Sequence, residues 1–214
     1  VVLNNFSFQL GNIKIKATRN IKLETSLLKI IKNNKKLNIN SPEVKVMSSL
    51  GLSYLSNLNI ISNNFENIID NIEVDTGVKT NYKFFQNFLL EVDSKQNIID
   101  NLEGNIVGHL KLRKSPELGN LKYQFIGDLN NFSYQADDNQ KLPLKFENFF
   151  GKIRLSEKEL NINGIGKINN SSSKVNILVK ENSIMIMNIE SEAKHSSFDF
   201  LGGIFLSIFK RSMW

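Results

Sequence analysis

The chain contains no cysteine among its 214 residues. That absence removes disulfide-stapled folds, thiolate metal sites and cysteine nucleophiles together. It has 2 histidines, His109 and His195, far apart in sequence and without clustered carboxylates, which leaves little for a metal centre or a catalytic triad. With 3 prolines and 12 glycines it is neither collagen-like nor a proline-rich linker. No run approaches the roughly 18 to 20 apolar residues that a bilayer-spanning helix needs. The longest apolar block, residues 200–209, is interrupted by Gly202, Gly203 and Ser207. The first residues show no charged start, apolar middle and small-residue cleavage site of a secretory signal.

What is present is an ordinary globular balance, 41% hydrophobic and 22% charged, which excludes disorder for most of the chain. Asparagine is the outlier, with 31 residues. Lysine and isoleucine are similarly frequent, a bias that AT-rich codons produce. The formal charge of +6 is therefore weak evidence for a partner. Lys35-Lys36 and Lys111-Arg113-Lys114 are the dense basic clusters, and no aromatics interleave with them as nucleic-acid stacking platforms would require. No nucleic-acid partner is expected; a solvated face or an anionic lipid headgroup satisfies these clusters.

The dominant signal is alternation with period two. Phe6, Phe8 and Leu10 alternate, then Ile13 and Ile15 after Gly11-Asn12, then Ile21 and Leu23, with Leu37, Ile39, Val44 and Val46 repeating the pattern around Ser41-Pro42. Residues 1–47 thus read as N-terminal β-hairpins. Between 48 and 103 the periods mix, with Phe84, Phe85, Phe88, Leu89 and Leu90 at helical spacing, which predicts a mixed segment with short helices. Residues 104–190 read as an antiparallel β-meander, with turns at Ser115-Pro116, Gly127-Asp128, Ser156-Glu157-Lys158, Asn169-Asn170-Ser171 and Glu181-Asn182-Ser183. Residues 191–214 carry Phe198, Leu201, Phe205, Ile208 and Phe209 at the spacing of an amphipathic C-terminal helix or tail.

No catalytic constellation emerges, and no enzyme activity is expected. Gly164-Ile165-Gly166-Lys167 lacks the first glycine and the hydroxyl residue of a phosphate loop, so strand is the better reading. His109 falls opposite Leu110 and is expected to face solvent rather than act as a base. Asp128 and Asp137-Asp138 suit turns. Asn5-Phe6-Ser7 and Asn131-Phe132-Ser133 match a glycosylation acceptor, a pattern that recurs by chance in so asparagine-rich a chain.

The run Leu102-Glu103-Gly104-Asn105-Ile106-Val107-Gly108-His109-Leu110-Lys111-Leu112, then Gly127-Asp128-Leu129-Asn130-Asn131-Phe132-Ser133-Tyr134 and Leu142-Pro143-Leu144, resembles the AsmA-like family of envelope proteins. Phe149-Phe150-Gly151-Lys152-Ile153-Arg154-Leu155 and the stretch from Leu160 through Gly164 and Gly166 to Ile168 are similar to that family's later strands. The resemblance implies a non-catalytic periplasmic protein of a Gram-negative bacterium, without cofactor, anchored in the inner membrane by a segment upstream of Val1. It also implies a hydrophobic groove that binds phospholipid acyl chains for lipid transport toward the outer membrane and for outer-membrane biogenesis. Apolar burial agrees with this reading, because holding an acyl chain needs no directional chemistry.

The expected fold is mainly β: an extended, twisted antiparallel β-sheet forming an apolar groove or half-open barrel, with one or two short helices. Candidate lipid-binding residues are Leu110, Leu112, Leu121, Tyr123, Phe125, Leu144, Phe146, Ile153, Leu155, Ile162, Val175, Ile177 and Val179. The same side chains serve a plain core equally well. The alternative is a closed β-sandwich, a binding, adhesion or structural module without lipid transfer, whose inner face is filled by protein.

Overall fold

The computed structural model describes residues 2–3, 7–10, 13–16, 21–48, 51–68, 70–84, 102–118, 121–135, 145–180 and 185–191. Strands dominate them: β1 (Val2–Leu3), β2 (Ser7–Leu10), β3 (Ile13–Lys16), β4 (Ile21–Glu24), β5 (Lys29–Asn33), β6 (Lys36–Ser48), β7 (Gly51–Ser62), β8 (Ile72–Asn81), β9 (Leu102–Lys114), β10 (Lys122–Gln135), β11 (Lys145–Ser156), β12 (Glu159–Ile168), β13 (Ser171–Lys180) and β14 (Met185–Ser191). The fold is mainly β, as expected. Its main sheet runs β1-β4-β6-β7-β8-β9-β10-β11-β12-β13-β14, with β5 beside β6. The order has two ends and is not closed into a barrel. The β2–β3 hairpin stands apart as a second, two-stranded sheet, with Phe8 opposite Ile15 and Leu10 opposite Ile13.

The chain divides into two units, Val1–Ser94 with Val107–Phe125, and Lys95–Ile106 with Ile126–Trp214. In the first, β6 is the organising strand. This 13-residue strand pairs with β7 from Leu37–Ser62 to Ser48–Gly51, with Pro42 skipped. On its other side β4 and β5 lie in line along one register, Lys22 opposite Met47 and Lys29 opposite Asn40. The gap between β4 and β5 extrapolates to a position opposite Ser41-Pro42. Proline has no N–H to give a ladder, so the partner strand breaks there while β6 itself runs on. Val44, Val46 and Phe84 form a buried cluster joined by Leu23, Leu55 and Leu58. The Phe84 N–H donates to Asn81 Oδ1 at 2.7 Å, which fixes a helical turn at 82–84 immediately after β8.

In the second unit β11, β12, β13 and β14 form a meander. Ile153 lies opposite Ile162, Ile162 opposite Ile177, and Ile177 opposite Met187. Asn169 and Asn170, with φ of 47° and 69°, make the tight β12–β13 turn that the sequence predicts, because two left-handed residues match the twist of the flanking strands. Asn169 also closes the end of β11, its N–H donating to the Lys145 carbonyl at 2.8 Å and its Oδ1 accepting from the Lys145 N–H at 2.7 Å.

The structure departs from the sequence reading in three places. Of the mixed segment expected at 48–103, the described residues are mostly two long strands, β7 and β8, while Phe85, Phe88, Leu89 and Leu90 lie outside the described residues. A three-residue 3-10 turn at Phe65–Asn67 and the turn at 82–84 are its helical parts among the described residues. Gly127-Asp128 is not a turn, because β10 passes straight through it. Ser41-Pro42 likewise interrupts the neighbouring ladder but not β6.

One cause underlies the first two departures. Asn57, Asn131 and Asn148 stand in mid-strand with φ of 50°, 54° and 51°. Each acts as a β-bulge that exchanges inward and outward faces. In β10 the buried positions step from Leu129 to Phe132, and in β11 from Phe146 to Phe149. The pairing register shifts between Ser56 and Asn59 in β7 and between Glu147 and Phe150 in β11. A strand whose parity flips midway does not show the even alternation by which strands are read.

Candidate functional site

Each unit carries an apolar strand face on which a site can be built, and the two faces are filled differently. In the first, Gly108, Leu110 and Leu112 follow one another along one side of β9. Tyr123 and Phe125 do the same on β10, with Leu121 just before that strand. All five candidate apolar side chains there are half-buried. In the second, Phe146, Ile153, Leu155, Ile162, Val175, Ile177 and Val179 are all buried, and Ile162, Val175 and Ile177 have no exposed surface. Leu144 and residues 192–214 of the tail lie outside the described residues, as do His195 and Asp137-Asp138.

The sequence reading missed the side chain around which the second unit packs. Phe149 is fully buried, its ring centroid 5.1 Å from that of Phe146. It lies over Gly151, Gly164 and Gly166. A Cβ on Gly151 would stand 2.8 Å from the Phe149 ring, and one on Gly166 3.1 Å from its Cβ. The glycines that suggested a phosphate loop are therefore the floor on which an aromatic ring lies, a known way of covering bare strand backbone. The signal was available in the juxtaposition of Asn148, a residue tolerant of left-handed geometry, with paired phenylalanines and glycines on the facing strand.

The inner face of the first unit is also lined by hydroxyls. Ser41, Ser53, Ser62, Thr76 and Thr80 are buried. Each is satisfied locally: Ser41 by Thr25 at 2.8 Å, Ser53 and Thr80 by each other, Thr76 through the Ser56 carbonyl at 3.1 Å, and Ser62 through the Asn64 carbonyl at 3.0 Å. They form no relay with a base. Among the described residues no group of three His, Asp or Glu side chains could hold a metal ion, and no helix is long and apolar enough to cross a membrane.

On the opposite face of β9, His109, Lys111 and Arg113 meet acids of β8, while Lys114, in line with Leu110 and Leu112, meets Asp70 of the turn before β8. His109 Nε2 is 2.6 Å from Asp75 Oδ1, Lys111 Nζ 3.5 Å from Asp75 Oδ2, and Arg113 Nε 2.9 Å from Glu73 Oε1. Lys114 is ion-paired to Asp70, whose other oxygen accepts from Asn67 Nδ2 at 2.8 Å. The Lys114 hydrogen bond, then that of Asn67, holds the Asp70 carboxyl below its ordinary range. His109 lies opposite Leu110 and is half-exposed. Each cation of Lys111-Arg113-Lys114 thus has an acid within ion-pair distance, with Asp75 shared between Lys111 and His109. Lys35 and Lys36, at the β5–β6 turn, are exposed.

The arrangement can bind by apolar contact on one face while the other stays in water. No family model matches the chain, no curated protein is similar to it, and no solved structure resembles it.

Proposed function

We propose that the chain is part of an AsmA-like periplasmic protein, anchored in the inner membrane, that holds phospholipid acyl chains for transport toward the outer membrane. The acyl-binding surface in this reading is the stretch bearing Leu110, Leu112, Leu121, Tyr123 and Phe125. The supporting observation is the division of the apolar face: these side chains are half-buried, whereas their counterparts from Phe146 to Val179 are buried. An acyl chain laid on partly exposed aliphatic and aromatic side chains gains about 0.8 kcal/mol per buried methylene without directional chemistry. The paired charges on the other side of β9 keep that side in water.

The test is lipid extraction from the purified chain followed by mass spectrometry. Phospholipid should co-purify with the wild type, and Leu112→Asp should lower it by about tenfold with the β-sheet circular dichroism unchanged. Wild-type protein free of lipid, or Leu112→Asp retaining all of it, would overturn the reading.

A second reading has its own observation. The zero exposure of Leu160, Ile162, Val175 and Ile177 suits an interior filled by protein. A closed binding or structural β-module is the function if the wild type carries no lipid.

A further inference from the structure

The β5–β6 hairpin is built in a way that neither the apolar face nor the β8–β9 charge ladder explains. Leu27, Leu28, Ile30 and Ile31 are 59%, 49%, 59% and 44% exposed, a concentration of large apolar side chains in water within a few residues. Lys29, Lys32, Lys35 and Lys36 are interleaved with them, and all are exposed. Between Thr25 and Pro42 there is no Asp or Glu. The segment therefore presents apolar and cationic side chains together.

Among the described residues β5 is also an edge, paired to β6 alone, with every residue from Lys29 to Asn33 exposed. Ile30 stands opposite Ile39, and Ile31 opposite Asn38, so apolar side chains project on both faces of the strand. An exposed apolar edge is ordinarily a template for another strand. Here edge lysines oppose that use, because a second copy would bring the same charges alongside. A surface of negative charge with an apolar layer just beneath it suits both sets of side chains.

We propose that this hairpin is a membrane-surface contact, which sets Leu27, Leu28, Ile30 and Ile31 at the headgroup boundary of an anionic bilayer and its lysines against lipid phosphates. Insertion is shallow. The backbone N–H and C=O groups on the outer side of β5 find water or headgroup partners at that depth, and hydrocarbon offers none. Each lysine near an anionic surface adds attraction that salt screens. The inference goes beyond the acyl-binding reading and does not depend on it, because it rests on residues 27–36 alone.

The experiment is co-sedimentation of the full chain with vesicles of phosphatidylcholine alone and of phosphatidylcholine with about 30% phosphatidylglycerol, at low and high salt. Binding should require the anionic lipid and weaken with salt. Replacing Lys29, Lys32, Lys35 and Lys36 together by Gln should reduce it more than about tenfold. Ile30→Ser with Ile31→Ser should reduce it as well, with circular dichroism unchanged because both side chains are exposed. An Ile31→Trp variant should show a blue-shifted emission only with anionic vesicles. Equal binding to neutral vesicles, no binding at low salt, or a concentration-dependent dimer abolished by the serine variants would each overturn the proposal, the last in favour of strand pairing between copies.

Discussion

Asn148 shows what an asparagine-rich chain can do that an average one does with glycine. Its φ of 51° lies in the left-handed region, where a short polar side chain is tolerated and a β-branched one is not. The bulge there turns Phe149 inward onto Gly151 and Gly164 and leaves Phe150 49% exposed on the other side. Asn148→Gly should therefore change stability by no more than a few tenths of a kcal/mol, while Asn148→Val should cost about 1 to 3 kcal/mol, read as a shift in thermal midpoint. Phe149→Ala should cost more, about 3 to 5 kcal/mol, because it empties a fully enclosed site over bare backbone. If the valine variant were as stable as the glycine one, the bulge would not be what aims the ring.

Between β8 and β9 the side chains that face water are arranged as opposite-charge rungs, and such exposed pairs are worth little individually, about 0.2 to 1 kcal/mol. Their role is register: the ion pairs of Glu73 with Arg113 and of Asp75 with Lys111 disfavour a slip that would turn the apolar side chains of β9 outward. Arg113→Glu should destabilise by about 0.5 to 1 kcal/mol, and adding Glu73→Arg should recover most of that loss in denaturant titration. Asp70 contributes to the pH dependence, as does Glu24, which Lys22 holds below its ordinary range. The folded Asp70 carboxyl is held below the ordinary range by Lys114, so its contribution is present above the unfolded-state pKa and is lost as pH falls through the folded one. The stability difference between wild type and Asp70→Asn should persist at neutral pH and vanish in strong acid, with no change between pH about 6 and 8 from this group. Period two was enough to place β9, β12 and β13, where alternation is unbroken. It failed at β7, β10 and β11, because a single left-handed asparagine exchanges the faces and leaves no mark on composition.

At the scale of the whole molecule, the apolar face expected from the sequence is present, but its two halves differ in a way that alternation alone cannot express. Leu110 and Ile177 are equivalent as letters in a pattern; one is half-buried and the other has no exposed surface. That difference depends on how much protein covers each strand, which is a tertiary quantity. Phe149 and its glycine floor were legible only in part, through Asn148 beside the paired phenylalanines, because the contact itself depends on which strands become neighbours. In the proposed function, lipid therefore lies on residues 110–125, while residues 146–179 are packing. The most direct measurement is site-specific photo-crosslinking in living Gram-negative cells, with the photoreactive residue placed in turn at positions 112, 123, 177 and 111. The account predicts phospholipid adducts at 112 and 123 and none at 177 or at the outward-facing 111. Adducts at all positions alike, or at none, would contradict it.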